Sequence, residues 1–378
     1  MNKIKVTHII TCLDTGGAEM MLYKLLSSCD RNNCSMSVIS LSDIGEIGKK
    51  IQGLDVSVTA LNARKSFAGI FSVFKLIKIL RKEKPDIIQT WMYHANFLGA
   101  IATLFVKKAK LIWGIHNGYL DKNRMKRATV LVAKICAWLS YLIPKKIVCC
   151  AKATVDIHAK FGYASSKMIV IPNGFDLQTF QYNSEFYQDV RKELRLPSDS
   201  LLIGMLARFD ADKDYPNFMH ASQQIMMQNP TAYFICCGKN VDNNNAKLVG
   251  LIEKYKLQNR CYLLGERRDV VRLLSAFDVL VSSSVSEGFS NVIGEAMACE
   301  VPCVVTNVGD SAEIVCDKNC VVPSQNSQEL ARAVQHILCM NAEQRKLLGK
   351  AARIRIKDNY SLEKIVQEYQ NLYQELGE

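Results

Sequence analysis

Residues 279–298 read VLVSSSVSEGFSNVIGEAMA: an apolar run, a polar turn and the start of a helix within twenty residues. Val279–Ser282 has the composition of a strand covered on both faces. Gly288–Asn291 form the turn, with Ser290 or Asn291 placed to cap the helix that follows. Glu287 closes the strand-like run, and Glu295 stands one turn into the helix on the face of Asn291.

The same alternation extends in both directions. Before it, strands are expected at Val6–Leu13, Met36–Leu41, Val56–Ala60, Asp86–Thr90, Lys110–Ile115, Lys145–Cys150, Met168–Ile171, Leu201–Ala207, Tyr233–Cys237 and Arg260–Leu264. After it, they are expected at Pro302–Val305 and Cys320–Val322, with helical stretches between most of them. Alternating strands and helices imply parallel sheets with helices on both faces. At roughly 100–200 residues per domain, a chain of 378 residues holds two such domains. The Pro, Asn-Gly and Asp of IPNGFDLQTF (Ile171–Phe180) mark the boundary. The expected division is 1–180, 181–360 and a final helix over 361–378, which either stands apart or crosses back to the first domain. Both domains are doubly wound, and ligands are expected in the cleft at the carboxyl ends of the two sheets.

An apolar fraction of 49% with 22% charged residues is ordinary globular composition and excludes disorder, collagen and coiled coil. The net charge of +12 is uneven: the first 180 residues carry an excess of fifteen positive charges, the remainder three negative. The anion this protein meets is therefore expected at the first domain. The 14 cysteines have no zinc-finger partners in spacing and read as reduced, mostly buried thiols of a cytoplasmic protein. The opening apolar run is too short for a signal peptide. Ile87–Val106 is free of charge over twenty residues but contains Gln89, His94 and Asn96, and Ala128–Pro144 is broken by Lys134, so neither reads as a membrane span. Two segments have an interfacial pattern. Ser66–Lys84 sets Phe67, Ile70, Phe71, Phe74 and Ile77 against Lys75, Lys78 and Lys82; Asp121–Ile143 follows Lys122, Arg124, Lys126 and Arg127 with Trp138 and Tyr141. Each alone reads as a helix packed on a sheet; joined to the basic half, they imply attachment to an anionic membrane face.

The chemistry-bearing residues cluster at strand ends. Two carboxylates, Glu287 and Glu295, flank a helix N-terminus whose free amides take phosphate oxygens, which suits a polyol–phosphate–polyol ligand. Ala207-Arg208-Phe-Asp-Ala-Asp-Lys213 supplies a guanidinium and an ammonium that neutralise a diphosphate without metal. Asp210 and Asp212 form a D-x-D that reads as loop-shaping, so no metal ligand is assigned. Gly16-Gly17, between the first strand and helix, permits close approach of an anion, a plain tight turn being an equal reading. G-x-G-x-x-G is absent there, against a dehydrogenase. His116 and His94 each lie near a strand end, and no Ser-His-Asp or Cys-His pairing supports hydrolysis.

Together these residues resemble the retaining two-domain GT-B glycosyltransferases of family 4, also called glycosyl transferases group 1. Glu287 and Glu295 as E-x7-E, Arg208 with Lys213, Gly16-Gly17, IPNG at Ile171–Gly174 and His116 all occur in the family's order. The resemblance implies an α/β GT-B fold of two facing Rossmann-like domains. It implies donor contacts from Gly16, Gly17, Arg208, Lys213, Phe289, Ser290, Asn291 and Glu295, with His116 and Glu287 at the reacting sugar. His94 and Asn173 fall on the acceptor side, with neither metal nor cofactor. Asp214 stands where the family has Gly, and Glu300 where it has a small residue. The implied activity is metal-independent, retaining transfer of a hexosyl or N-acetylhexosaminyl group from a nucleotide sugar, UDP-linked, to a lipid-linked saccharide. It would serve bacterial polysaccharide or lipopolysaccharide assembly at the inner face of the plasma membrane. Alternatives are a soluble GT-B enzyme with a small acceptor, a nucleotide-sugar epimerase, or a non-catalytic basic protein binding membrane or nucleic acid. No aromatic-interleaved basic motif supports nucleic acid.

Overall fold

A computed structural model describes residues 3–62, 68–106, 108–118, 120 and 125–377, and the side chains of 68–71 lie outside it. Phe67, Lys122 and Arg124, expected at the interface, fall outside the described residues, as do the side chains of Ile70 and Phe71. The chain divides into two compact units, Met1–Gly174 with Leu362–Glu378, and Phe175–Ser361.

The first unit holds strands β1 (Ile4–Ile10), β2 (Cys34–Ser40), β3 (Ser57–Ala60), β4 (Ile87–Trp91), β5 (Lys110–Ile115), β6 (Lys146–Cys149) and β7 (Met168–Val170). They form one sheet in the order β3-β2-β1-β4-β5-β6-β7, every adjacent pair parallel. Helices α1 (Gly17–Ser28), α2 (Gly45–Gln52), α3 (Ala68–Glu83), α4 (Tyr93–Thr103), α5 (Arg127–Ser140) and α6 (Lys152–Phe161) connect them. In the second unit helix α7 (Ser184–Glu193) precedes β8 (Leu201–Leu206), followed by α8 (Tyr215–Gln228), β9 (Ala232–Cys237), α9 (Ala246–Lys254), β10 (Cys261–Leu263) and α10 (Val270–Ala276). Then come β11 (Val279–Ser282), α11 (Asn291–Ala298), β12 (Cys303–Thr306), α12 (Ser311–Val315), β13 (Val321–Val322), α13 (Ser327–Leu338) and α14 (Ala342–Tyr360). Its sheet order is β10-β9-β8-β11-β12-β13, again parallel. In both sheets the order reverses beside the first strand of the unit, the switch point at which open α/β sheets bind ligands.

The boundary lies at Gly174, six residues before the expected one. Phe175 stacks on Phe289 at 6.0 Å, and Arg353 donates to the carbonyl of Leu177 at 3.0 Å, so residues after Gly174 are held by the second unit. The last helix, α15 (Leu362–Gly377), belongs to the first. Its Leu362, Ile365, Val366, Tyr369, Leu372 and Tyr373 join Val6, Ile10 and Trp91 in one core beneath β1 and β4. None of the 14 cysteines is in a disulfide, and all but Cys12, Cys316 and Cys339 are buried. Among the described residues no helix is long and apolar enough to cross a membrane.

Candidate active site

In the second unit β11 ends at Ser282, as expected, and the next side chains turn to hold the loop. Ser283 Oγ donates to the carbonyl of Lys213 at 2.8 Å, and Val285 N–H to that of Asp212 at 2.8 Å, tying this loop to the one after β8. Ser284 Oγ donates to Glu287 Oε1 at 2.7 Å, while Thr306 Oγ1 donates to the Ser284 carbonyl at 2.6 Å. Lys213 Nζ completes the arrangement by pairing with the same Glu287 oxygen. Both members are mostly shielded, at 18% and 12% exposure, so water screens the pair weakly. Gly309, at φ +55°, lies against the Glu287 and Gly288 carbonyls, where a side chain would have no room.

Ser290 is the N-cap of α11 and makes no side-chain capping bond, leaving Asn291 as the first helical residue. With Phe289 and Ser290 buried and Glu295 half-buried one turn along, the helix N-terminus retains amides not used by its own cap. Phe289 is wedged between Phe175 and Tyr360, with ring centroids 6.0 and 5.7 Å away. Arg208 stands apart: it is 61% exposed and pairs with Asp210 at 3.3 Å. Asp210 also accepts from Asp212 N–H at 3.0 Å, and the guanidinium and this amide hold its carboxyl below the usual range. Asp214 adopts the left-handed conformation, φ 48°, and caps α8 by accepting from Asn217 N–H at 3.2 Å. Aspartate tolerates that conformation and gains the cap, which accounts for its presence where glycine is usual. Glu300 likewise has φ +60°, at the end of α11.

In the first unit Gly16 is the extended N-cap residue of α1, and the Glu19 carboxylate folds over it, so that a Cβ there would oblige this carboxylate to move aside. Cys12 Sγ donates to that carboxylate at 3.3 Å, and burial pushes its pKa up. Sequence reading left Glu19 without a role; the N-terminus of α1 already faces a carboxylate of its own chain. His116 follows β5, both ring nitrogens are buried, and neither finds a partner among the described residues. Burial lowers its pKa to about 4, so the imidazole is neutral near pH 7. His94 is half-buried on α4 with its pKa lowered by the same cause. Asn173 is buried beside Gly174, whose carbonyl accepts from Lys24 at 3.1 Å. The structure thus joins Lys213, Glu287 and the start of α11 in the second unit, leaves Arg208 on the surface, and places Gly16, Gly17, His94, His116 and Asn173 in the first.

Two family models match the chain, "Glycosyltransferase Family 4" over residues 15–179 and "Glycosyl transferases group 1" over residues 186–355. The chain belongs to family 4 of the glycosyltransferases. It is a glycosyltransferase with the GT-B fold. An Escherichia coli UDP-Gal:alpha-D-GlcNAc-diphosphoundecaprenol alpha-1,3-galactosyltransferase is 28% identical over 315 residues, 80% of this chain and 78% of its own. The capsular polysaccharide biosynthesis glycosyltransferase CapM of Staphylococcus aureus is 22% identical across 99% of this chain and 97% of its own. Among solved structures, Anabaena HepE in complex with UDP superposes with a TM-score of 0.86 at 21% identity, over 98% of this chain and 100% of that one.

Proposed function

We propose that this enzyme transfers a sugar, with retention, from a UDP-sugar to a hydroxyl of a lipid-linked saccharide in bacterial surface-polysaccharide assembly. The transferred group is a hexosyl or N-acetylhexosaminyl residue. The Lys213–Glu287 pair at the foot of α11 carries this reading. When the donor enters, Lys213 exchanges the carboxylate for a diphosphate oxygen and Glu287 is released to accept a sugar hydroxyl. The amides of Phe289, Ser290 and Asn291 receive the remaining phosphate charge, and Glu295 takes the ribose hydroxyls. Arg208 swings from Asp210 onto the diphosphate, so two fixed cations meet the charge that grows on the leaving group, and no metal is required. His116 donates to or accepts from a hydroxyl of the reacting sugar, Gly16 and Gly17 line the donor side, and His94 and Asn173 lie toward the acceptor. Names of relatives support the acceptor class: the E. coli enzyme acts on a diphosphoundecaprenol-linked sugar, as does a Campylobacter jejuni relative, 23% identical over 87% of this chain.

The first unit carries the membrane-facing part of the proposal. Phe74 on α3, Phe105 after α4, and Leu131, Trp138, Tyr141 and Leu142 along and beyond α5 are exposed on adjacent helices. Exposed Lys75, Lys78, Lys82, Lys126, Arg127 and Lys134 lie on the same elements, matching an anionic bilayer. Such a protein works peripherally at the inner membrane face.

Calorimetry with UDP tests the donor site. Glu295→Gln should weaken binding by roughly 1.5–3 kcal/mol, the worth of a charge-assisted hydrogen bond; unchanged affinity would remove Glu295 from the ribose.

A further inference from the structure

Behind His116 the first unit stacks aromatic rings from three elements. Parallel pairing sets Trp91 opposite Gly114, so His116, two residues on, projects to the same face as Trp91 but beyond the strand end. The His116 imidazole lies 4.9 Å from the Trp91 ring, 13° from parallel. Trp91 in turn faces Tyr369 of α15 at 6.2 Å and 27°, and its indole N–H donates to His8 Nδ1 at 3.2 Å. Trp91 is fully buried, and the Tyr373 hydroxyl donates to Gln89 two residues before it. Met92, the next residue, has φ 73°, a conformation costly for an unbranched L-residue, which the structure holds by donating Met92 N–H to the Gly114 carbonyl at 3.1 Å. Strain of this kind marks a place where the surroundings dictate the backbone.

An imidazole with two unpartnered buried nitrogens has nothing polar to orient it. The ring stacked on it is that of Trp91. We propose that Trp91 is the positioning residue for His116: the stacked indole, anchored by His8 and backed by Tyr369, fixes the imidazole plane so that its nitrogens meet the sugar. The proposal rests on the role given to His116 above and adds a second one, for α15: the C-terminal helix supports the histidine through Tyr369. Trp91 itself touches no reactant. His8 accepts the indole N–H through Nδ1, so its proton resides on Nε2.

Three Trp91 variants and His116→Ala test this, with kinetics, UDP calorimetry and NMR of the histidine ring protons. Trp91→Phe keeps an aromatic face and should retain turnover within about threefold, whereas Trp91→Leu should lose about tenfold or more with UDP affinity within about twofold. Trp91→Met fills the same space without a ring and substitutes if Trp91→Leu does not fold. In the wild type, the His116 ring protons, assigned by His116→Ala, should be displaced upfield by the indole; without the ring they should move downfield. A folded Trp91→Leu or Trp91→Met with wild-type turnover overturns the proposal, as does an unshifted His116 resonance in the wild type. If His116→Ala is itself fully active, the catalytic reading of His116 fails, and the NMR result alone then decides whether Trp91 orients the ring.

Discussion

Lys213 and Arg208 carry the same charge on one loop, but their settings differ, and so should the effects of removing them. Lys213 is mostly shielded and shares a carboxylate oxygen with Ser284; Arg208 is largely in water on Asp210. Replacing Lys213 with alanine strands Glu287 beside a single hydroxyl donor, which costs stability as well as chemistry. Lys213→Ala should therefore lower turnover about 10²-fold and also lower the denaturant midpoint. Arg208→Ala should lower turnover similarly with stability within about 0.5 kcal/mol, as for a surface change. Kinetics and urea titration on both variants check this, and wild-type turnover in either would place the diphosphate elsewhere. At this scale the placement of the E-x7-E pair and of the Arg/Lys loop was legible because it is local: each lies after a strand or at a helix start. The Lys213–Glu287 contact spans 74 residues and depends on β8 lying beside β11, so spacing along the chain could not reveal it. Glu19 was missed for another reason. An acid in the first turn of a helix reads as a favourable dipole contact, and nothing in the string says that it folds back over Gly16.

All the expected strands form, because parallel strands covered on both faces leave continuous apolar runs bounded by turns. Some ends differ by a few residues, as in the strand expected at Val6–Leu13 and found at Ile4–Ile10, whereas β11 has the bounds expected of it. IPNG signalled a change of direction correctly, but the hand-over falls at Gly174, and only the packing of Phe175 and Leu177 decides it. Helix α15 shows most clearly what a sequence leaves open. Its apolar stripe at Leu362, Ile365, Val366, Tyr369 and Leu372 announced a buried face without naming the partner, which is the core around Val6, Ile10 and Trp91. Burying a large apolar side chain contributes about 1.5–3 kcal/mol, so this stripe exceeds what a domain can lose and remain folded. A chain ending at Ser361 should leave the first unit unfolded, while residues 175–361 alone should give a cooperative melt. Circular dichroism on both truncations checks it; native stability of the first unit without α15 would contradict the assignment.

For the whole molecule, acid sensitivity should be one-sided. His8, His116 and His158 all belong to the first unit, and burial lowers their pKa values to about 3, about 4 and about 4 from 6.5. Burial keeps His158 neutral, against the pull of the Thr154 carbonyl 2.7 Å from Nδ1; Tyr93 Oη lies 2.7 Å from Nε2. Below pH 6.5 the unfolded chain binds protons that the folded one refuses. Stability is complete above that pH and falls as pH drops toward 4, by about 1.4 kcal/mol per unit for each histidine. Hydrogen exchange at pH 5 should show β1, β5 and α6 opening well before β8 and β11; uniform loss in both units would refute this.

Charge acts at the same scale. Sedimentation with anionic vesicles should succeed at low salt and fail near 1 M, where the Debye length shrinks to about 3 Å; equal partitioning to neutral vesicles would point to a soluble acceptor. The central claim, transfer from a UDP-sugar to a lipid-linked saccharide on the Lys213–Glu287 site, is tested most directly by following labelled UDP-sugars into an undecaprenyl-diphosphate saccharide in the presence of EDTA. Labelled lipid with retained anomeric configuration, lost in Glu287→Gln, is the result expected. Release of UDP without labelled lipid, full dependence on added metal, or undiminished transfer by Glu287→Gln would contradict it.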